Sequence, residues 1–335
     1  MAEKKPTVGI IGVGNIGRTL YTKLVNQEGW NVLGVIDVDG IYTEPGKTGK
    51  ISELNKYPSF IRENNLMFLA IPTLDNGETA RDYINSSLEL RVPIVTCEKG
   101  ALGNNFAQFE ESMNSGMLGY NASVSGGARL LEILRARRGR NIKQIHAVLN
   151  GTLNYIFDGL SHGESLGALV ARARRLGYAE PGATDPLDVI NGEVTGDVPK
   201  KAAILFNVFN VFPSKRIKAL DIDSRRIERG ELEHLLRHAV NRRYIVSITP
   251  HDYKEEDVLW GFKVNTDHWC LSAGFKHVDD HPLYKNLIVP GVENALLTLE
   301  GAEENIYLFR GPGAGPDPTT DSMIADAKNI LHMRD

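Results

Sequence analysis

Of the 335 residues only two are cysteine, Cys97 and Cys270. They are far apart and belong to no CxxC pair, which excludes a disulfide framework and fits a reducing compartment, the cytoplasm. No window approaches the ~18 apolar residues that a membrane-spanning helix requires. The opening MAEKKPTVGIIGVG runs from a charged patch straight into a glycine-rich turn, so no secretory leader is expected. Charge of one sign is not concentrated either. Lys and Arg number 38 against 42 Asp and Glu, a net charge of -4, and neither nucleic acid nor a membrane is expected as a partner. The nine histidines are scattered without HxH or HExxH spacing, which excludes the usual zinc sites. GxSxG does not occur, and Ser123 and Ser125 have no identifiable base, so acyl transfer is unsupported.

What is present is the composition of a globular α/β protein, 42% hydrophobic and 24% charged. Short β-branched runs at Thr7–Ile11, Trp30–Ile36, Leu66–Ile71 and Pro93–Thr96 read as buried strands. Ile16, Leu20 and Leu24 give a helix over Ile16–Val25. Strands separated by helices predict a Rossmann-type, doubly wound parallel sheet. From about Ala128 the texture changes to helix, with Leu130, Leu131 and Leu134 on one face and Arg135, Arg137, Arg138 and Arg140 on the other. A strand at Gln144–Leu149, a helix at Leu166–Leu176 and strand-like runs across 244–300 predict a second α+β domain. The last helix, Thr320–Leu331, is expected to fold back. The expected division is therefore 1–133 with 306–335, and 134–305.

Gly12, Gly14 and Gly17 form GVGNIG between the first strand and its helix. In that context the first glycine permits a tight turn, the second admits a pyrophosphate, and the third lets helix pack on strand. Asn15 and Ile16 open the helix whose free N–H groups would face the phosphates. Asp37, about 20 residues beyond Gly17, is placed to bind ribose hydroxyls. Asp37 and Asp39 favour NAD over NADP, since a carboxylate repels a 2′-phosphate. Lys47 and Lys50 remain available to receive such a phosphate, and Asp39-Gly40 reads equally as a plain turn.

Beyond the fingerprint, an ordered set of segments resembles the homoserine dehydrogenase family. These are VTCEKGAL (95–102), NASVSGG (121–127), LNGTLNYIF (149–157), GYAEP (177–181), DPLD with GDVPKK (185–188, 196–201), HPLYKNLIVPGVENAL (281–296) and GPGAGPDPTTDSMIADA (311–327). The resemblance implies NAD or NADP, with the lean to NAD, and reversible reduction of aspartate 4-semialdehyde to homoserine on the way to threonine and methionine. It also implies a short, monofunctional member and a homodimer formed through the substrate and dimerisation domain. In family terms Lys201 is the proton donor, Asp197 binds substrate, and Glu180 holds the substrate amino group. Lys99 lies near both cofactor and substrate. Tyr178 and Gly177 line the substrate and cofactor, Thr73 touches the nicotinamide half, and Gly311 and Gly313 let the returning chain approach the nicotinamide. Gly151 and Thr152, at a turn into a helix after Asn150, would offer N–H groups and a hydroxyl to the substrate carboxylate.

Several of these residues have plainer readings on type and spacing alone. Asp197 and Lys201 stand four apart, as an ordinary surface pair would, with Pro199 suited to a first helical turn. Thr152 reads equally as a simple N-cap, Glu180 as a helix-end charge and Lys99 as a solvated loop lysine.

The chain also departs from the family pattern. Asn121 stands where a glutamate helps to bind a monovalent cation whose other ligands would be the carbonyls of Val124, Gly126 and Ala128, so that cation site is weakened or lost. Arg129 replaces a proline, and Glu98 an asparagine. The segment between Glu180 and Asp197 is longer than the family spacing, and Asp188 is the candidate for a second carboxylate there. The rival readings are another amino-acid dehydrogenase of the same plan, acting for example on aspartate, and a nucleotide-binding regulatory protein without turnover.

Overall fold

The computed structural model describes residues 5–27, 29–179, 183–210, 215–253, 259–279 and 281–332. The chain divides into two compact units. One runs to Ser123 and takes back the chain from Pro316; the other is Val124–Gly315.

The first unit opens with β1 (Thr7–Ile11), α1 (Asn15–Asn26) and β2 (Asn31–Asp37). Then come β3 (Gly40–Glu44), β4 (Thr48–Glu53), α2 (Tyr57–Arg62) and β5 (Leu66–Leu69). It closes with α3 (Glu78–Glu89), β6 (Ile94–Thr96), α4 (Gly100–Asn114) and β7 (Leu118–Gly119). The sheet order is β4-β3-β2-β1-β5-β6-β7. The five strands from β2 to β7 are parallel; β-branched runs separated by helices predict four of them, and the two-residue β7 is added by the structure. Strands β3 and β4 are antiparallel and form an edge that the sequence reading missed. Their exposed positions, Lys50 and Ile51 among them, carry no buried alternation that would mark a strand. Gly17, Leu20 and Leu24 bury one face of α1, and the C-terminal helix Pro316–Ile330 packs Met323, Ile324 and Ala327 into the same core. Fully buried side chains such as Leu20 and Phe68 each contribute about 1.5–3 kcal/mol.

In the second unit Leu130, Leu131 and Leu134 are buried on α5 (Leu130–Ala136), as the spacing predicts. The helix starts at Leu130 because Ser125, Gly126 and Arg129 all take positive φ, with Arg129 at 50°. Proline, fixed near φ −65°, could not occupy that position, which gives the arginine there a backbone reason. β8 (Ile142–Val148) is followed by α6 (Gly151–Ser161), α7 (Leu166–Arg175) and α8 (Pro186–Gly192). A π-helical turn over Glu193–Asp197 leads without a break into α9 (Val198–Phe209). Pro199 does lie in the first turn of α9, but the chain before it is already helical. The wider π turn relieves the lost N–H and the ring crowding that a proline causes inside an α-helix. After α10 (Arg229–Arg237) come β9 (Arg242–Pro250), β10 (Leu259–Asn265), β11 (Trp269–His277), β12 (Glu293–Glu300) and β13 (Asn305–Pro312). They form an antiparallel sheet of order β10-β11-β9-β8-β12-β13.

Candidate active site

In the first unit the predicted residues gather at one end of the parallel sheet, because Gly12, Asp37, Thr73 and Lys99 all stand at or after the C-terminal ends of parallel strands. Gly12 takes φ 95°, and its N–H donates to Ile36 O at 2.9 Å. A Cβ on Gly17 would stand 2.0 Å from the Gly12 carbonyl oxygen, so only glycine lets α1 approach β1. A Cβ on Gly14 would meet nothing within 4 Å. Gly14 and Asn15 are exposed, Ile16 packs on the core, and Gly14 precedes α1 without any side-chain cap. The first-turn N–H groups thus open onto space of the kind a pyrophosphate needs.

Asp37 ends β2, half-buried, with Oδ1 accepting the Val38 N–H at 2.8 Å. Asp39-Gly40 is a tight hairpin turn, since Asp37 pairs with Gly40. The two lysines noted as phosphate receivers are engaged: Lys47 Nζ stands 2.5 Å from Asp39 and Lys50 Nζ 2.6 Å from Glu53. The Lys47 hydrogen bond holds the Asp39 carboxyl below its ordinary range.

Glu98 has a use that the sequence reading did not foresee. Its carboxylate, 3% exposed, accepts from Thr73 Oγ1 at 2.5 Å, Gly100 N at 2.6 Å and Ala101 N at 2.8 Å. It therefore closes the N-terminus of α4 and fixes Thr73, with Lys99 half-buried between. Burial pushes the adjacent Cys97 thiol up to about 12, far from a reactive thiolate.

In the second unit Lys201 Nζ stands 2.8 Å from Asp197 Oδ2, and both side chains are nearly buried, 12% and 8% exposed. An ordinary surface pair does not describe it. The ammonium also donates to Leu149 O at 3.1 Å. Asn150 Nδ2 donates to Asp197 Oδ2 at 2.8 Å and to Glu193 Oε2 at 2.6 Å, while its Oδ1 accepts the Leu153 N–H at 2.7 Å. Asn150, not Thr152, is thus the N-cap of α6; the Thr152 hydroxyl instead donates to Tyr178 O at 2.6 Å. The reason is positional: Thr152 already lies inside the helix, one residue past the first helical position.

The second carboxylate of the cluster is Glu193, and Asp188 does not join it. Asp188 lies on α8 with a side chain 61% exposed, 3.9 Å from Arg226. Glu193, Asp197 and Lys201 are spaced by four along one continuous helical run, so their periodicity could have revealed the stripe. The buried cluster sets two carboxylates beside one lysine, groups of the kind an ammonium-bearing ligand would meet.

Gly177 takes φ 72° and ends α7, with Tyr178 N donating back to Ala173 O at 2.9 Å, so its glycine serves a left-handed helix end. A Cβ on Gly151 would stand 2.9 Å from Val292 O and 3.2 Å from Ala314 Cβ, which brings the GPGAG loop against the α6 N-terminus. Gly311 is pressed on Ala128, and Gly313 on the buried Asn294 carboxamide, so each glycine meets a need within its own unit. Glu180 lies outside the described residues. Asn121 N and Nδ2 donate to the buried Asp326 at 2.9 and 2.6 Å, which turns its amide nitrogen to the C-terminal helix. Val124, Gly126 and Ala128 lie in the turn ahead of α5, where Ala128 N closes on Ser125 O at 2.9 Å. Among the described residues no group of three or more His, Cys, Asp or Glu could hold a metal ion, and no helix is long and apolar enough to cross a membrane.

A Rossmann-type nucleotide loop in one unit, with a buried lysine and two carboxylates on an antiparallel-sheet unit, defines a pyridine-nucleotide-dependent oxidoreductase. The family model for homoserine dehydrogenase matches residues 130–327, more than half of the chain. The chain is 27% identical to a homoserine dehydrogenase of Sulfurisphaera tokodaii, over 97% of this chain and 98% of that one. It is 26% identical to an NAD(+)-dependent homoserine dehydrogenase of Pseudomonas canavaninivorans, over 85% of this chain and 75% of that one. A hyperthermophilic archaeal homoserine dehydrogenase solved in complex with NADPH shares the fold at a TM-score of 0.68, with 21% identity and 99% of both chains covered. The chain belongs to the homoserine dehydrogenase family.

Proposed function

We propose that the protein catalyses the reversible NAD(P)-dependent reduction of aspartate 4-semialdehyde to homoserine, a step towards threonine and methionine. The observation that carries this reading is the buried Lys201–Asp197 pair tied through Asn150 to Glu193. The first unit serves as the nucleotide domain, with Gly12, Gly14 and the α1 N-terminus on the pyrophosphate, Asp37 on the ribose, and Thr73 and Lys99 at the nicotinamide end. When bound there, the nicotinamide supplies or accepts the hydride. Lys201 gives its proton to the substrate oxygen as the aldehyde becomes an alcohol, and takes one back in the reverse direction. Asp197 and Leu149 O hold the ammonium in place. Glu193, a carboxylate of the same buried cluster, receives the substrate ammonium, and the first-turn N–H groups of Gly151 and Thr152 receive its carboxylate. Homoserine-dependent growth of reduced-cofactor absorbance tests the reading; turnover with aspartate and none with homoserine would sink it.

NAD is the preferred cofactor in this reading, because Asp37 ends β2 while Lys47 and Lys50 are engaged by Asp39 and Glu53. Asp37→Ala is expected to weaken NAD by roughly 10-fold and NADP less, as loss of one charge-assisted hydrogen bond does. Equal losses for both nucleotides, measured by fluorescence titration, remove Asp37 from the ribose. Glu193→Gln is expected to raise the KM for homoserine by about 10- to 100-fold with a smaller change in kcat, since it deletes a contact made to bound substrate as much as to the transition state. An unchanged KM in steady-state assays assigns the ammonium elsewhere. Asn121, standing in place of the family glutamate, is bound to Asp326, so the monovalent-cation site is weakened or lost in this reading. A homodimer built on the second unit, to be measured by sedimentation, and a cytoplasmic location complete the reading. The free thiols of Cys97 and Cys270 support that location.

A further inference from the structure

Arg242 opens β9 and is only 3% exposed, yet its Nε and Nη1 have no hydrogen-bond partner among the described residues. A guanidinium stays charged throughout the working pH range, and a buried charge without a counter-charge is costly. Burial pushes its pKa down, with no carboxylate of the described residues acting the other way, whereas the adjacent Arg243 faces Asp158 at 3.4 Å. Trp260 lies with its ring centroid 5.8 Å from the Arg242 guanidinium carbon. That tryptophan takes φ 48°, a left-handed conformation in which a bulky residue is a genuine outlier, inside the bulge where β10 slips against β11. Gly261 makes the bulge possible: a Cβ there would stand 1.7 Å from Ala273 O. Backbone held in so rare a state is a pointer to function.

Imidazoles complete the corner. His277 is the cross-strand partner of Arg242. The His238 ring is 6.5 Å from His277 and 5.2 Å from His234, whose ring is 6.0 Å from Trp260. All three are exposed. Of the neighbouring carboxylates, Asp158 is engaged by Arg243 and by the Gly291 N–H, and Glu231 by Arg225 and by the Glu228 N–H at the start of α10, while the exposed Asp279 acts on Arg243. We propose that this corner binds a small oxyanion of the phosphate or sulfate kind, with Arg242 as its buried anchor and His238 and His277 at its mouth. The planar guanidinium fork matches such an anion. The site shares no residue with the Lys201 cluster, so it stands whether or not the assigned reaction does.

The whole protein is titrated with sodium phosphate, and separately with sulfate, at an ionic strength held constant with sodium chloride. Tryptophan emission and the melting midpoint are followed. Phosphate is expected to change the emission saturably and to raise the midpoint, while chloride does neither. Arg242→Met weakens the apparent phosphate affinity by at least ~10-fold. Its midpoint in chloride stays level or rises, because an uncompensated buried charge has been removed. Trp260→Phe loses the emission response and keeps the midpoint response. His277→Gln, which leaves the core untouched, weakens the phosphate response and serves should Arg242→Met fail to fold. No saturable phosphate response in the unaltered protein overturns the proposal, and so does an undiminished one in Arg242→Met or, where that variant does not fold, in His277→Gln.

Discussion

Lys201→Ala is expected to lower kcat by about 10²–10⁴-fold, the usual worth of one positioned acid, while nucleotide affinity stays within about twofold. The lysine's two described partners, Asp197 and Leu149 O, both belong to the second unit. Its removal also takes the ammonium away from Asp197, which the Asn150 amide ties to Glu193. Breaking a buried pair in this way costs about 3–5 kcal/mol, so the melting midpoint must be recorded beside the rate. Lys201→Arg separates the two effects, because it keeps the charge and shifts the donor atoms. Steady-state rates with homoserine and a fluorescence titration with nucleotide check the result. Near-normal turnover in a folded Lys201→Ala variant removes Lys201 from the proton transfer.

The glycine loop yields the second large effect, a contrast between two neighbouring positions. Gly17→Ala is expected to lose both stability, by about 1–3 kcal/mol, and nucleotide binding, because its methyl would stand 2.0 Å from the Gly12 carbonyl and drive α1 off β1. Gly14→Ala meets no protein atom within 4 Å, so its melting midpoint should not move. Its methyl occupies the room left for a pyrophosphate, and nucleotide affinity should fall by at least ~10-fold, the worth of the lost charge-assisted contacts. Calorimetry on the two variants, with and without NAD, decides the matter. Full affinity in Gly14→Ala would place the pyrophosphate somewhere else, whatever becomes of Gly17→Ala.

The sequence by itself determined the features that rest on neighbours along the chain. GVGNIG sits between a β-branched strand and an amphipathic helix, and sterics over a few residues require its turn. Asp197 and Lys201 share a helix face because four residues make about one turn. Four of the five parallel strands were legible as buried β-branched runs, and α5 as a leucine stripe, while the two-residue β7 was too short to read. Tertiary structure alone decided the rest, because hydrogen bonds across long separations depend on which elements pack together. Asn150 reaches Glu193 and Asp197 from 43 and 47 residues away. That contact makes Glu193 the second carboxylate and leaves Asp188 facing solvent. Thr73 meets Glu98 across 25 residues, and Asn121 meets Asp326 across 205, contacts that no local propensity encodes. Only the sheet, by burying Arg242 with Nε and Nη1 unpartnered among the described residues, marks it as a residue with a ligand to find.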